Sequence, residues 1–271
     1  VIPLEWSREI SAILTRSTGY GHVRKYLKKT DNNLEAGYLP LYCNRSVAEQ
    51  AMLLWMGLLR KLPKQMLQFS KFHRDGLTGM ECENKNLLVV GVGNIGYEVV
   101  KIGKGLSMNV RGVDIVERHD DVDYVSIEEG IAKADIIVCS MNLTAENHDY
   151  FDYRLLKKAK AGVIFINVAR GEMSPAMDLL KLLNEGRLGG LGMDTFNHES
   201  RLAVSLRSGS GCDDLEVRAI LEMADRSDVI FTPHNAFNTV EAVERKAKDS
   251  LRQIESYLMT GKFIWPVDEN K

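Results

Sequence analysis

The sequence has little that would mark a secreted, membrane-bound or nucleic-acid-binding protein. Its 271 residues include four cysteines, Cys43, Cys82, Cys139 and Cys212, lying 39, 57 and 73 positions apart. They are too sparse for a disulfide scaffold and lack paired CxxC spacing, so reduced thiols in a cytoplasm are the expectation. No run reaches the roughly 18 apolar residues that suggest a membrane span, and no basic segment followed by an apolar one opens the chain. Charge of one sign is also missing: 35 Lys and Arg against 37 Asp and Glu leave a formal charge of −2. Neither nucleic acid nor a membrane surface is therefore an expected partner. His22, His73, His119 and His148 have no metal-ligand spacing, so no metal site is expected. Internal repeats are absent, and the nearest thing to a flexible loop is Arg207–Gly211. An initiator Met is lacking too; the chain opens at Val1 and soon enters an apolar strand, Ser11–Thr15, which predicts that N-terminal sequence is missing.

What is present reads as an α/β protein. The length predicts about two domains, and 45% hydrophobic with 27% charged residues is ordinary for a globular chain. From about Asn86 short apolar runs alternate with amphipathic segments, the pattern of βα units. The predicted strands are Leu87–Val90, Asn109–Val113, Asp135–Cys139, Val163–Val168, Gly189–Met193 and Val229–Thr232. They are apolar on both faces, as strands covered by helices on both sides must be. A doubly wound parallel sheet follows.

Helix signals lie between the strands. Ser126-Ile-Glu-Glu129 is a capping box, and Ser174-Pro175 a helix opening. Ser46–Leu62 is apolar nearly all round through Met52–Leu59, so it packs against a core or a second subunit. Pro63 interrupts or restarts it. Thr239–Met259 reads as one long amphipathic helix.

The strongest local motif is Gly91-Val-Gly93-Asn-Ile-Gly96, which ends an apolar strand and opens a helix. The first glycine permits the turn, the second lets the backbone approach a pyrophosphate, and the third allows close helix–strand packing. The helix N-terminus adds free amides and a positive dipole end. Asp114 ends the next strand 18 residues after Gly96, where a carboxylate can accept both ribose hydroxyls and would repel a 2′-phosphate. A dinucleotide site is predicted, with NAD favoured over NADP.

A second constellation comprises Asn167-Val-Ala-Arg-Gly171, Asp194 followed by Glu199, and Thr232-Pro-His234 with Phe237. Each follows a predicted strand and so falls at the carboxyl edge of the sheet, where open α/β folds bind ligands. With Asp194 lying 24 positions after Arg170, the chain resembles the D-isomer-specific 2-hydroxyacid dehydrogenase family from Leu14 to Phe237. That resemblance implies an NAD-dependent oxidoreductase that moves a hydride to or from C2 of a small D-2-hydroxy or 2-keto acid, D-lactate and pyruvate or a short aliphatic analogue. It implies that Arg170 grips the substrate carboxylate and carbonyl oxygen, Glu199 supports the imidazole, and His234 is the acid/base. The types suit the roles: arginine offers a planar fork of donors, and histidine titrates near neutrality.

The same resemblance places Thr18 and Gly19 at the substrate carboxylate through their backbone amides, with Tyr42 and Phe237 as further substrate contacts. It implies Asn94 and Ile95 at the pyrophosphate, Met141, Asn142 and Asn147 on the next strand-end loop, and Val168, Ala169, Arg170 and Asp194 beside the cofactor. Ser140-Met-Asn142 departs from the His-x-Pro common in the family, and His198 receives no role. Residues 43–237 are expected to form the Rossmann NAD domain. Residues 1–42 and 238–271 should form a smaller, discontinuous, N-terminally incomplete α/β substrate domain, with the active site in the cleft between the two. A homodimer is expected. The alternatives are an NAD-binding corepressor-like scaffold and, among enzymes, a phosphoglycerate or hydroxypyruvate dehydrogenase. Against the latter, no added basic cluster for a phosphate is visible in the sequence.

Overall fold

The computed structural model describes residues 2–30, 34–209 and 211–267; Ser210, within the predicted Arg207–Gly211 loop, lies outside the described residues. The chain divides into two compact units, residues 1–46 with 237–271, and residues 47–236. The seams predicted from the sequence, 42/43 and 237/238, lie within a few residues of these.

The first unit contains β1 (Ala12–Leu14), α1 (Gly21–Leu27) and β2 (Glu35–Gly37). The strands pair in parallel, Ile13 opposite Ala36, and their small core gathers Val23, Tyr26, Leu27, Leu34, Ala36 and Val267. Helix α2 (Asn44–Leu59) then carries the chain into the second unit, followed by α3 (Leu62–Phe69). The break between them falls where the sequence predicted it: Lys61 caps α3 with φ of 52° and Pro63 sits in its first turn, where a missing amide hydrogen costs nothing. The apolar girth of α2 is largely core. Ala51, Leu54, Trp55 and Leu59 are buried, while Leu53 is exposed.

The second unit continues as β3 (Asn86–Val90), α4 (Asn94–Gly105), β4 (Asn109–Val113), β5 (Asp123–Tyr124), α5 (Ile127–Lys133), β6 (Ile136–Cys139), α6 (Tyr153–Leu156), β7 (Val163–Asn167), α7 (Ala176–Asn184), β8 (Leu188–Met193), α8 (Glu199–Ser208), α9 (Leu215–Met223) and β9 (Val229–Phe231). Helix α10 (Val240–Thr260) returns the chain to the first unit. All seven strands of the larger sheet are parallel, in the order β5-β4-β3-β6-β7-β8-β9. The order reverses between β3 and β6, so the crevice at their carboxyl ends is the place where such sheets bind ligands. β6 and β7 are buried throughout, as central strands covered on both faces must be.

Local signals acted in part as expected. Ser126 Oγ accepts the Glu129 amide and caps α5, but the Glu129 carboxylate reaches Arg111 and Lys133. At α7, Pro175 is the capping residue and Ser174 is buried away from the helix opening. The Glu216 carboxylate accepts the Ala176 amide at 2.7 Å instead. Among the described residues no helix is long and apolar enough to cross a membrane.

Candidate active site

The residues that follow the strands of the second unit build a dinucleotide cradle. Gly91 has φ of 92°, a conformation that disfavours any side chain, and a Cβ on it would stand 2.6 Å from the Met141 amide nitrogen. Gly96 lies against the Gly91 carbonyl, where a Cβ would meet the oxygen at 1.9 Å. Gly93 is different: a Cβ there would meet nothing within 4 Å. The open space lies beside the first turn of α4, which no side chain caps. First-turn amides without a side-chain acceptor, a clear approach and a positive helix end are what a pyrophosphate requires. Asp114 is held by two backbone amides, Val92 to Oδ2 at 2.6 Å and Val116 to Oδ1 at 3.1 Å, so it stands fixed at the end of β4. These residues fit an NAD.

Other predicted cofactor contacts are placed less simply. Asn147 donates to the Asn142 carbonyl at 2.7 Å and accepts the Thr144 amide at 2.7 Å; its side chain closes its own loop. Asp194 is buried, and its carboxylate is occupied by Thr232 Oγ1 at 2.5 Å and the amides of Asn235 and Ala236 at 2.9 Å each. Val168 and Ala169 lie buried after β7.

Arg170, Glu199 and His234 come together. His234 Nδ1 lies 3.0 Å from both Glu199 oxygens. That hydrogen bond and charge raise the imidazole above its usual value, against burial and the charge of Arg170. Burial works to raise the Glu199 carboxyl, but the hydrogen bond and charge of His234 outweigh it and hold the group below its usual range. Arg170 is near enough for its charge to act on both. His234 has φ of 52°, costly for a residue with a side chain, and Asp194 secures that turn through the two amides just beyond it.

The loop carrying Arg170 is set by Asn167, which is fully buried and donates to the Arg170 carbonyl at 2.9 Å and to Ser174 Oγ at 2.8 Å while accepting the Ala169 amide at 3.0 Å. Gly171 follows, so close to the next loop that a Cβ would stand 2.0 Å from the Phe196 carbonyl carbon. Phe196 in turn donates its amide to Glu199 Oε1 at 3.1 Å. His198, given no role by the sequence, caps α8 with φ of 54° and pairs through Nδ1 with Asp214 at 2.6 Å.

In the first unit, Thr18 Oγ1 donates to the Leu39 carbonyl at 3.3 Å and lies 3.4 Å from Cys43 Sγ. The Gly19 carbonyl accepts from Ser17 Oγ at 2.8 Å. His22, also unassigned in the sequence, lies 3.2 Å from Thr15 Oγ1 and ties down the start of this loop. Tyr42 and Phe237 meet edge to face with ring centroids 6.4 Å apart, and Arg245 Nε donates to the Tyr42 carbonyl at 2.9 Å. Sequence reading missed Arg245 and the neighbouring Lys246, whose ammonium lies about equally over the Tyr42 and Phe237 rings, 5.1 and 4.9 Å from their centroids. Among the described residues no group of His, Cys, Asp and Glu could hold a metal ion.

The doubly wound sheet, glycine cradle and fixed strand-end aspartate define a dinucleotide-binding fold of the Rossmann type. Comparison with known proteins narrows this. Residues 52–236 match the family described as D-isomer specific 2-hydroxyacid dehydrogenase, NAD binding domain. A D-lactate dehydrogenase of Streptococcus agalactiae serotype III (strain NEM316) is 31% identical over 268 residues, 96% of this chain and 80% of the relative. An aromatic 2-oxoacid reductase of Clostridium sporogenes (strain ATCC 7955) is 28% identical over 93% of this chain and 77% of its own length. Among solved structures, D-lactate dehydrogenase from Aquifex aeolicus in complex with NAD and lactic acid superimposes with a TM-score of 0.84 at 28% identity, covering 93% of this chain and 80% of that one. The chain belongs to the D-isomer-specific 2-hydroxyacid dehydrogenase family and is an NAD-dependent oxidoreductase acting on a CH–OH group.

Proposed function

We propose that the chain interconverts a short D-2-hydroxy acid and its 2-keto acid, with His234 as the acid/base. The observation that carries this reading is the His234–Glu199 pair beside Arg170. When bound, NAD supplies the hydride acceptor or donor. Glu199 holds the Nδ1 hydrogen of His234, leaving Nε2 to exchange a proton with the substrate oxygen. Because the pairing favours the imidazolium, His234 is charged to donate to the keto oxygen in reduction. Arg170 presents a guanidinium that binds carboxylate and polarises the carbonyl. Thr18 and Gly19 offer backbone amides to the carboxylate, and Tyr42 and Phe237 border the substrate side chain. Along the cofactor, Gly91, Gly93, Asn94, Ile95 and Gly96 hold the pyrophosphate and Asp114 the ribose. Met141, Asn142, Asn147, Val168, Ala169 and Asp194 line the rest, with Asn147 and Asp194 acting by shaping their loops.

The resemblance to D-lactate dehydrogenases supports a substrate near pyruvate in size, and the likeness to an aromatic 2-oxoacid reductase widens the set to be tried. The test is NADH oxidation over a panel of 2-keto acids with chiral analysis of the product. Turnover of at least one short acid to the D isomer is the expected result; L product, or no turnover of any, overturns the reading. A homodimer is part of the proposal, supported by the exposed Met66, Leu67, Phe69 and Phe72 on and after α3, apolar side chains of the kind an interface covers. Light scattering that shows a monomer would refute it.

A further inference from the structure

Two cations of the first unit, Arg16 and Lys246, stand close together. Arg16 and Lys246 are 230 positions apart in sequence, yet α10 brings them together. Arg16 Nε donates to Ser250 Oγ at 3.1 Å, one turn beyond Lys246 on that helix. Lys246 places its ammonium over the Tyr42 and Phe237 rings, at 5.1 and 4.9 Å. Among the described residues neither cation has a carboxylate partner. Burial, and after it the like charge of Arg16, pull the Lys246 ammonium below its usual value, with Cys43 acting the other way. Cys43 in turn touches Thr18, so the cation lies in the same corner as the loop proposed to bind the substrate. Ring faces attract an ammonium by about 0.5–1 kcal/mol at exposed sites, but they leave its net charge uncompensated. Lys246 is thus a half-buried cation beside a polar loop, with exposed Arg16 adding like charge, and an anion is what would answer it.

We infer that Lys246, backed by Arg16, binds a second anionic group at the far end of the substrate side chain. This inference rests on the proposed dehydrogenase activity and replaces the aliphatic side chain expected from the sequence with one ending in an oxyanion, the carboxylate of a 2-keto dicarboxylic acid or the phosphate of a phosphorylated 2-keto acid. Tyr42 and Phe237 then border the methylene stem while Lys246, between them, meets its charged end. Lysine suits this as a compact point charge on a flexible stem.

The test compares kcat/KM for acids matched in chain length and differing in charge: 2-oxoglutarate against 2-oxovalerate, oxaloacetate against 2-oxobutyrate, with phosphonooxypyruvate as the phosphate arm. The wild-type chain should prefer a dianionic acid over its neutral-tailed match by about tenfold or more, as one charge-assisted hydrogen bond allows. Lys246→Met should collapse that ratio, Lys246→Arg should retain most of it, and added salt should weaken it. The preferred dianion identifies carboxylate or phosphate. A wild-type preference for the neutral tail, or a ratio that Lys246→Met does not move, overturns the inference and leaves Lys246 as ring packing. If Lys246→Met does not fold, Arg16→Gln is read the same way. Should no 2-keto acid be turned over, the proposed activity fails first. Calorimetry with D-malate and D-2-hydroxybutyrate then judges Lys246 alone. Tighter D-malate binding that Lys246→Met abolishes supports it, and equal or undetectable D-malate binding sinks it.

Discussion

Replacing Gly171 by alanine tests how tightly the candidate active site is built. The added methyl would stand 2.0 Å from the Phe196 carbonyl carbon, 2.1 Å from the Asn197 nitrogen and 2.4 Å from the Phe196 Cα. All three are backbone atoms, so no side chain can swing aside. Ordinary contact begins near 3.4 Å, and 3.4 − 2.0 requires the two loops to part by about 1.4 Å. Phe196 donates its amide to Glu199 at 3.1 Å, and Glu199 holds His234 at 3.0 Å; a shift of that size on one side of the chain of bonds breaks one of them. Misplacing a catalytic group by about 1 Å can cost on the order of 100-fold in rate, and forcing a methyl into a filled space costs about 1–3 kcal/mol of stability. Gly171→Ala should therefore lose about two orders of magnitude in kcat while still folding, measured by NADH oxidation with its best 2-keto acid and by thermal unfolding. A variant within about twofold of wild type would show that the two loops do not depend on each other.

Two further predictions concern protonation and the cofactor. Because Glu199 raises His234, reduction should proceed fully below the imidazole's elevated pKa and fall as pH rises through it. Glu199→Gln lowers that pKa, so the falling limb of kcat/KM should move to lower pH, and an unmoved limb would separate Glu199 from the titration. Asp114→Ala should weaken NADH binding, read by fluorescence titration, by about tenfold or more, as loss of a charged hydrogen-bond acceptor implies; unchanged affinity would remove Asp114 from the ribose.

The NAD domain was legible because its signals are local. Gly91, Gly93, Gly96 and Asp114 lie within 24 residues, and a buried parallel strand announces itself by composition alone. The short strands β2 and β5 were not foreseen, since Glu-Ala-Gly and Asp-Tyr carry no apolar run; their neighbours in the sheets make them strands. How Asp194 and Asn147 would serve the site was not legible for a related reason. A sequence shows that a polar side chain is present, whereas the structure shows that Asp194 is occupied by the turn after His234 and Asn147 by its own loop. The proximity of Arg16 to Lys246 is the plainest case. Arg16 and Lys246 are neighbours only after α10 packs near β1, and no local pattern could have joined them.

The central claim is that the His234 imidazole, held by Glu199, exchanges the proton that accompanies hydride transfer. The most direct measurement is turnover by His234→Ala alongside its NADH affinity. General acid/base catalysis is worth about 10²–10⁴-fold, so kcat should fall by that range while NADH binds as it does to wild type. Wild-type turnover by a His234→Ala variant that still binds NADH would contradict the account.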